Sequence, residues 1–329
     1  MLKKPLRMHM NEMPFLPPDS VLEAVQQGAG HINRYADFDE MRKLRKKLAE
    51  YSGVDQERIF LSPGSDLILR EIVLLFARGR KLVLVSPSFL PTAQAARGIA
   101  DTIINLRLNP PEFSFQAEHL IQEACEPSLI IIENPNNPTG RILLNRSMIE
   151  QVLVNQDVLL VIDEAYFEFS GETCADMVSR YPNLAVTRTL DKAFSLAGAR
   201  VGYMLAGDRF VEAFTAFTTI LPQPSLRAAM AALDSSEYAV ENIRLIGRER
   251  QRLRKELSLL GIPSVESRTN FLLLFSDTPD MYRRLREKGV LVGDVSSQLP
   301  SGYIRVSLGT KEENTVFLDT MRDITSTGK

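Results

Sequence analysis

The chain of 329 residues predicts an α/β protein with a mostly parallel central sheet flanked by helices, followed by a smaller α+β carboxyl-terminal domain. Three observations carry this reading. Short β-branched runs alternate with amphipathic stretches. The runs are near-continuous in Val, Ile and Leu, as befits strands covered by helices on both faces. Towards the carboxyl terminus this rhythm gives way to one long polar helix and a few separated strands.

In chain order, strands are predicted over residues 58–61, 81–85, 129–133, 158–163, 184–188 and 201–206. Helical segments such as 40–51, 66–76 and 91–98 lie between them. A long polar helix covers 237–260, closed by Gly261 and Pro263. Its mixed run RERQRLRKE at 248–256 reads as a solvated face, not a nucleic-acid patch. Strands at 270–275 and 303–308 then flank a helix over 279–288. The expected organisation is an amino-terminal arm over 1–24, a large domain over 25–230 and a small domain over 231–329.

Composition narrows the function classes. A hydrophobic share of 44% and a charged share of 24% suit a globular core and argue against disorder. The net charge of −2 provides no global field for nucleic acid or an anionic membrane. Cys125 and Cys174 form no CxxC pair, so neither a zinc cluster nor a disulfide framework is expected, and a reducing, cytoplasmic compartment is. The start MLKKPLRMHMNEMPF is basic without the apolar core of a signal peptide. No apolar run approaches the ~20 residues of a membrane helix. A soluble protein is expected. His9, His31 and His119 stand apart, without the spacing of a ligand pair. The methionines at 1, 8, 10 and 13 suit an arm packed on a partner or on the small domain.

Chemistry concentrates in three segments. In VLLVIDEAY (158–166), five apolar residues run into Asp163 and Glu164, placing a carboxylate at the carboxyl edge of a buried strand. Alone, such an acid could be a metal ligand, a Walker-type aspartate or a helix cap. NPNNPTG (134–140) follows another apolar strand and sets the amides of Asn136 and Asn137 in a rigid turn at the same edge. In TLDKAFSLAGAR (189–200), Lys192 follows a strand and precedes an apolar, small-residue stretch, with Arg200 eight residues on. Apolar surroundings favour the neutral, nucleophilic amine.

Together NPNNPTG, DEAY and KAFxLAGxRVGY resemble the fold-type I pyridoxal-phosphate enzymes, aminotransferase class I and II, and most nearly the histidinol-phosphate aminotransferases. The resemblance spans nearly the whole chain and implies the PLP-dependent transferase fold. It implies that Lys192 carries pyridoxal 5′-phosphate through its amine and moves the substrate Cα proton, while Asp163 steadies the proton on the pyridine nitrogen. Asn137 and Tyr166 match the donors to the ring oxygen. Arg200 matches the phosphate arginine, with backbone N–H groups of Gly64, Ser65 and Asp66 beside it in SPGSD. Phe89 matches the aromatic stacked on the ring. Tyr35, in NRYAD, matches the tyrosine that reaches the neighbouring subunit's phosphate, which implies a homodimer. Arg305, in IRVSLGT, matches the arginine that grips the substrate carboxylate, and Asn270 a position near the substrate. Small-molecule amino-acid and keto or aldehyde substrates follow, with glutamate as the natural donor.

Three positions depart from the family pattern. Asp191 replaces the serine that precedes the lysine and donates to phosphate, leaving Thr189 as a substitute hydroxyl. Gly293, in LVGD, replaces an arginine that binds the substrate phosphate. In NEMPF (11–15), Phe15 lacks a tyrosine hydroxyl that lines the pocket. Decarboxylation of a phosphorylated amino acid or transamination of aromatic and apolar amino acids are the alternatives on this scaffold. A catalytically silent binding protein would not need Lys192, Asp163 and Arg200 together. A nicotinamide enzyme is disfavoured by the lack of GxGxxG after a strand.

Overall fold

The computed structural model describes residues 4–124, 126–216 and 219–326, so Met1 and Cys125 lie outside the described residues. Two sheets organise the chain. The larger contains β2 (Ile59–Ser62), β3 (Lys81–Ser86), β4 (Thr102–Arg107), β5 (Ser128–Glu133), β6 (Val158–Asp163), β7 (Leu184–Thr189) and β8 (Gly202–Ala206) in the order β2-β8-β7-β6-β5-β3-β4. Strands β4, β3, β5, β6 and β7 pair in parallel, whereas β8 runs antiparallel to both β7 and β2. The mostly parallel sheet of the α/β prediction is therefore present.

Strand alternation explains why β5 and β6 are apolar throughout. Ile130, Ile132, Leu160 and Ile162 belong to one core cluster. Leu129, Ile131, Leu159 and Val161 belong to the other, because successive side chains leave opposite faces. Both layers are dry, so the first polar side chains after each run emerge at the carboxyl edge. In register there, Glu133 pairs with Asp163, and Asp163 with Thr187.

The smaller sheet contains β1 (Leu6–Met8), β9 (Phe271–Phe275), β10 (Val290–Asp294) and β11 (Tyr303–Ser307) in the order β1-β10-β11-β9. Residues 6–8 add a parallel edge strand to β10, and Met8 is buried in the process. The polar helix Glu237–Leu259 closes, as its sequence predicts, near Gly261, whose φ of 76° is the left-handed conformation. Strands β1, β4 and β10 are not among the strands that the sequence pattern predicts. The first is three residues long, and the second is a half-exposed edge strand without a continuous apolar run. No helix among the described residues is long and apolar enough to cross a membrane.

Candidate active site

The carboxyl edge of the large sheet and the inner face of the small one enclose a cavity of about 430 Å³. Its walls bring together ten predicted residues: Ser65, Asp66, Phe89, Asn137, Asp163, Tyr166, Thr189, Lys192, Arg200 and Arg305. Met10, Asn11, Glu12, Glu133 and Asp191 line it as well.

At the floor, Asp163 ends β6 and accepts a hydrogen bond from the Thr187 hydroxyl at 2.9 Å. Burial pushes its carboxyl up to about 6, against the pull of Thr187, the Ala165 N–H and Lys192. Glu133 ends β5 beside it. Its carboxylate accepts from the Phe89 N–H at 3.1 Å and the Asn136 amide at 3.2 Å, tying the aromatic's loop to the NPNNPTG turn. Burial first, and then the Asp163 charge, push Glu133 up to about 8. Sequence reading missed Glu133, although the signal was the one used for Asp163, an acid closing an apolar strand.

Lys192 stands half-buried in the turn after β7, its Nζ 3.4 Å from the Met10 carbonyl and 5.9 Å from the Tyr166 ring centroid. The Tyr166 hydroxyl accepts from Asn11 Nδ2 at 2.9 Å. Asn11 is itself held by three hydrogen bonds to two neighbours. Its N–H donates to Ser307 Oγ (2.8 Å), whose hydroxyl donates to Asn11 Oδ1 (3.0 Å), and its carbonyl accepts from Asn270 (3.0 Å). Its φ of 52° places it in the left-handed region, which asparagine tolerates better than most side chains. Within the motif NEMPF, the residues that line this cavity are the first two, Asn11 and Glu12, and not Phe15. Phe15 lines an adjoining cavity that shares Glu12 and Ala197 with this one.

Arg305 reaches across from β11. Its Nη1 donates to Asn137 Oδ1 at 2.7 Å and its Nη2 to the His9 carbonyl at 2.5 Å, while Nε has no partner. Burial draws the guanidinium below its ordinary value. Gly293 lies opposite in register, and a Cβ there would stand 3.1 Å from both Nε and Nη2 of Arg305. The glycine leaves room for this guanidinium.

At the far end, Gly64 precedes helix Ser65–Phe76 with φ 90°. A Cβ on it would come within 2.1 Å of Arg200 Nη2, and the positive φ itself favours glycine at this helix start. Arg200 pairs there with both Asp66 and Asp191. The Thr189 hydroxyl donates to the Val201 carbonyl and accepts from the Asp191 N–H. Besides Phe15 and Gly64, two more predicted residues are not among the cavity walls. Asn270 is fully buried behind Asn11, and Tyr35 is 86% exposed on the surface.

A family model for aminotransferase class I and II matches residues 3–321. The chain belongs to the class I and II aminotransferases. Among relatives of this aminotransferase, the histidinol-phosphate aminotransferase of Sulfurisphaera tokodaii is 34% identical over 330 residues, covering 98% of this chain and 91% of the relative. The solved histidinol-phosphate aminotransferase of Sinorhizobium meliloti, in complex with pyridoxal 5′-phosphate, superposes with a TM-score of 0.87 at 25% identity, covering 98% and 92% of the two chains. In fold alone, the L-threonine-O-3-phosphate decarboxylase of Porphyromonas gingivalis is also similar, with a TM-score of 0.83 at 23% identity, covering 98% and 99%. The aminotransferase is therefore a pyridoxal-phosphate-dependent enzyme of fold type I. The donor set suits that cofactor. A buried carboxylate, a primary amine and an arginine set against a glycine-started helix open into one cavity.

Proposed function

We propose that the enzyme moves an amino group between glutamate or a similar α-amino acid and a keto or aldehyde acceptor, with Lys192 as the catalytic amine. Pyridoxal 5′-phosphate, when bound, supplies an aldehyde carbon for amines and a ring that accepts electron density. Asp163 holds a proton on the ring nitrogen, a role suited to a buried anion beneath a cation. Asn137 and Tyr166 donate to the ring oxygen, and Phe89 covers the ring face. Arg200 and the N–H groups of residues 64–66 take the phosphate. Arg305 forks onto the substrate carboxylate, and Lys192 lifts and returns the proton at the substrate Cα. Asn270 acts through Asn11, and Phe15 borders the substrate side. The supporting observation is that the Lys192, Asp163, Tyr166, Arg200 and Arg305 side chains line one cavity.

The relatives' name suggests histidinol phosphate as the amine on the other half-reaction. That assignment carries one fewer cation here, because Gly293 stands in the arginine's place. Tyr35 supports a homodimeric active unit in which it crosses to the neighbouring site. It is exposed close in sequence to Ile32 (77%) and Phe38 (64%), apolar surface suited to a partner. Cysteine usage fits a cytoplasmic enzyme.

The test is a half-reaction screen. Adding glutamate to cofactor-loaded protein should convert the aldehyde absorbance to that of the amine form, and Lys192→Ala should abolish the conversion. Carbon dioxide release without that conversion would replace transamination with decarboxylation. Light scattering of the purified protein tests the dimer, and a monomeric mass would remove the role of Tyr35.

A further inference from the structure

The phosphate end of the cavity has an unusual charge balance. Arg200 contacts two carboxylates, Asp66 from the first turn of helix Ser65–Phe76 and Asp191 from the turn after β7. Asp66 is partly exposed, with 32% of its side chain open to solvent, and can swing aside. Asp191 cannot. Its side chain is 3% exposed, and Oδ1 accepts the Val201 N–H at 3.0 Å, which locks the carboxyl against Arg200. The Thr189 hydroxyl hydrogen is directed at the Val201 carbonyl, and Ser65 is the other hydroxyl residue at this end of the cavity wall. The charged groups facing Asp191 are Arg200 and Asp66 on two other elements and Lys192 beside it in the chain.

A phosphate monoester carries close to two negative charges at neutral pH, its second pKa being about 6. Seating it on Arg200 places a dianion and a fixed carboxylate on the same guanidinium. Two anions that share one cation in a buried site retain a proton between them, as paired carboxylates do. We propose that Asp191 couples cofactor binding to protonation: the site takes up about one proton from solvent along with the phosphate, and holds the phosphate less tightly as pH rises. Burial already keeps the Asp191 carboxyl above its ordinary value despite Arg200 and Lys192. The proposal rests on the placement of the phosphate at Arg200.

Pyridoxamine 5′-phosphate is the probe, because it has no aldehyde and so reports phosphate capture without a bond to Lys192. Titration calorimetry in buffers of different ionisation enthalpy gives the proton count. Asp191→Asn keeps the acceptor for the Val201 N–H while removing the charge, and Asp191→Ser is the second variant. Subtracting either variant from the unmodified protein cancels the protons that the probe's ring and amine contribute. At pH 8 the unmodified protein should take up about one proton more than either variant. Its dissociation constant should rise towards tenfold more per pH unit than theirs above about pH 7. Equal proton counts and parallel pH dependences would overturn the proposal. So would loss of binding in both variants with thermal unfolding unchanged, since the carboxylate would then be holding the site together. Arg200→Ala separates the premise from the inference: unchanged affinity there overturns the placement of the phosphate itself.

Discussion

Arg305 Nη1 lies 2.7 Å from Asn137 Oδ1, a bond that joins β11 of the small sheet to the turn after β5 of the large one. It orients both partners. With its oxygen engaged, the Asn137 amide has only N–H groups left to donate, and the guanidinium is held in the plane needed to fork onto a carboxylate. One contact therefore links the Arg305 side of the cavity to the Asn137 side, across the two sheets.

Replacing Arg305 by lysine keeps the charge and loses the fork. We expect kcat/KM for α-amino acids to fall by about 2–4 kcal/mol, roughly 30- to 1,000-fold, while cofactor content stays unchanged. Amines without a carboxylate should be processed no worse than before. Steady-state kinetics on matched pairs of amino acid and decarboxylated amine decide this, and equal losses in both series would refute it.

Asn11→Ala removes the donor to Tyr166 and the acceptor for the Ser307 hydroxyl in a buried setting, while the backbone contacts to Ser307 and Asn270 stay. The expected cost to folding is about 1–3 kcal/mol. The cofactor absorbance should also shift its pH midpoint, because the Tyr166 hydroxyl is no longer oriented. Denaturation and a spectral pH titration report the two effects separately, and a stable protein with an unmoved midpoint would leave Asn11 without its role.

Glu133 and Asp163 sit above the ordinary carboxylate range, at about 8 and about 6, chiefly through burial. In the cofactor-free protein the folded state then binds more protons than the unfolded one between about pH 4 and 8. The sign follows: stability falls as pH rises through that window, by an amount on the order of a few kcal/mol. Glu133→Gln should flatten the upper part of the decline. Urea unfolding of cofactor-free protein at several pH values measures it, and a profile that rises from pH 5 to 8 would contradict the burial argument.

With Gly293 in the arginine's place, a substrate phosphate loses one charged contact, worth about 2–5 kcal/mol if nothing replaces it. Histidinol phosphate should therefore show little advantage over apolar or aromatic amino acids in a competition assay. A strong preference for it would mean that another cation reaches the pocket. Gly293→Arg should raise binding of histidinol phosphate only if Arg305 yields, since a Cβ at 293 comes within 3.1 Å of its Nε.

Much of this enzyme is local in origin and so was readable along the chain. The apolar run of β6 has to be a buried strand, and its next residue, Asp163, has to appear at the sheet edge. The turn NPNNPTG and the segment around Lys192 follow from proline, glycine and small residues acting over a few positions. The start of β1, the exposed edge of β4 and the site role of Glu133 were not legible in this way. Periodicity is weak in a three-residue strand and in a half-exposed one, and an acid at a strand end does not announce what it will touch.

The sequence by itself determined which chemical groups the enzyme possesses and the mostly parallel α/β scaffold that presents them, because both depend on side-chain identity and short-range pattern. Only the tertiary structure decided how the groups pair. Asn11 meets Tyr166 across 155 positions, Arg305 meets Asn137 across 168, and Asp191 meets Arg200 rather than solvent. The first two contacts arise when the small-sheet side closes on the large sheet, and the third within the connection between β7 and β8. Burial then strengthens each charge interaction and removes water as an alternative partner, so the pairings depend on packing and not on any local signal.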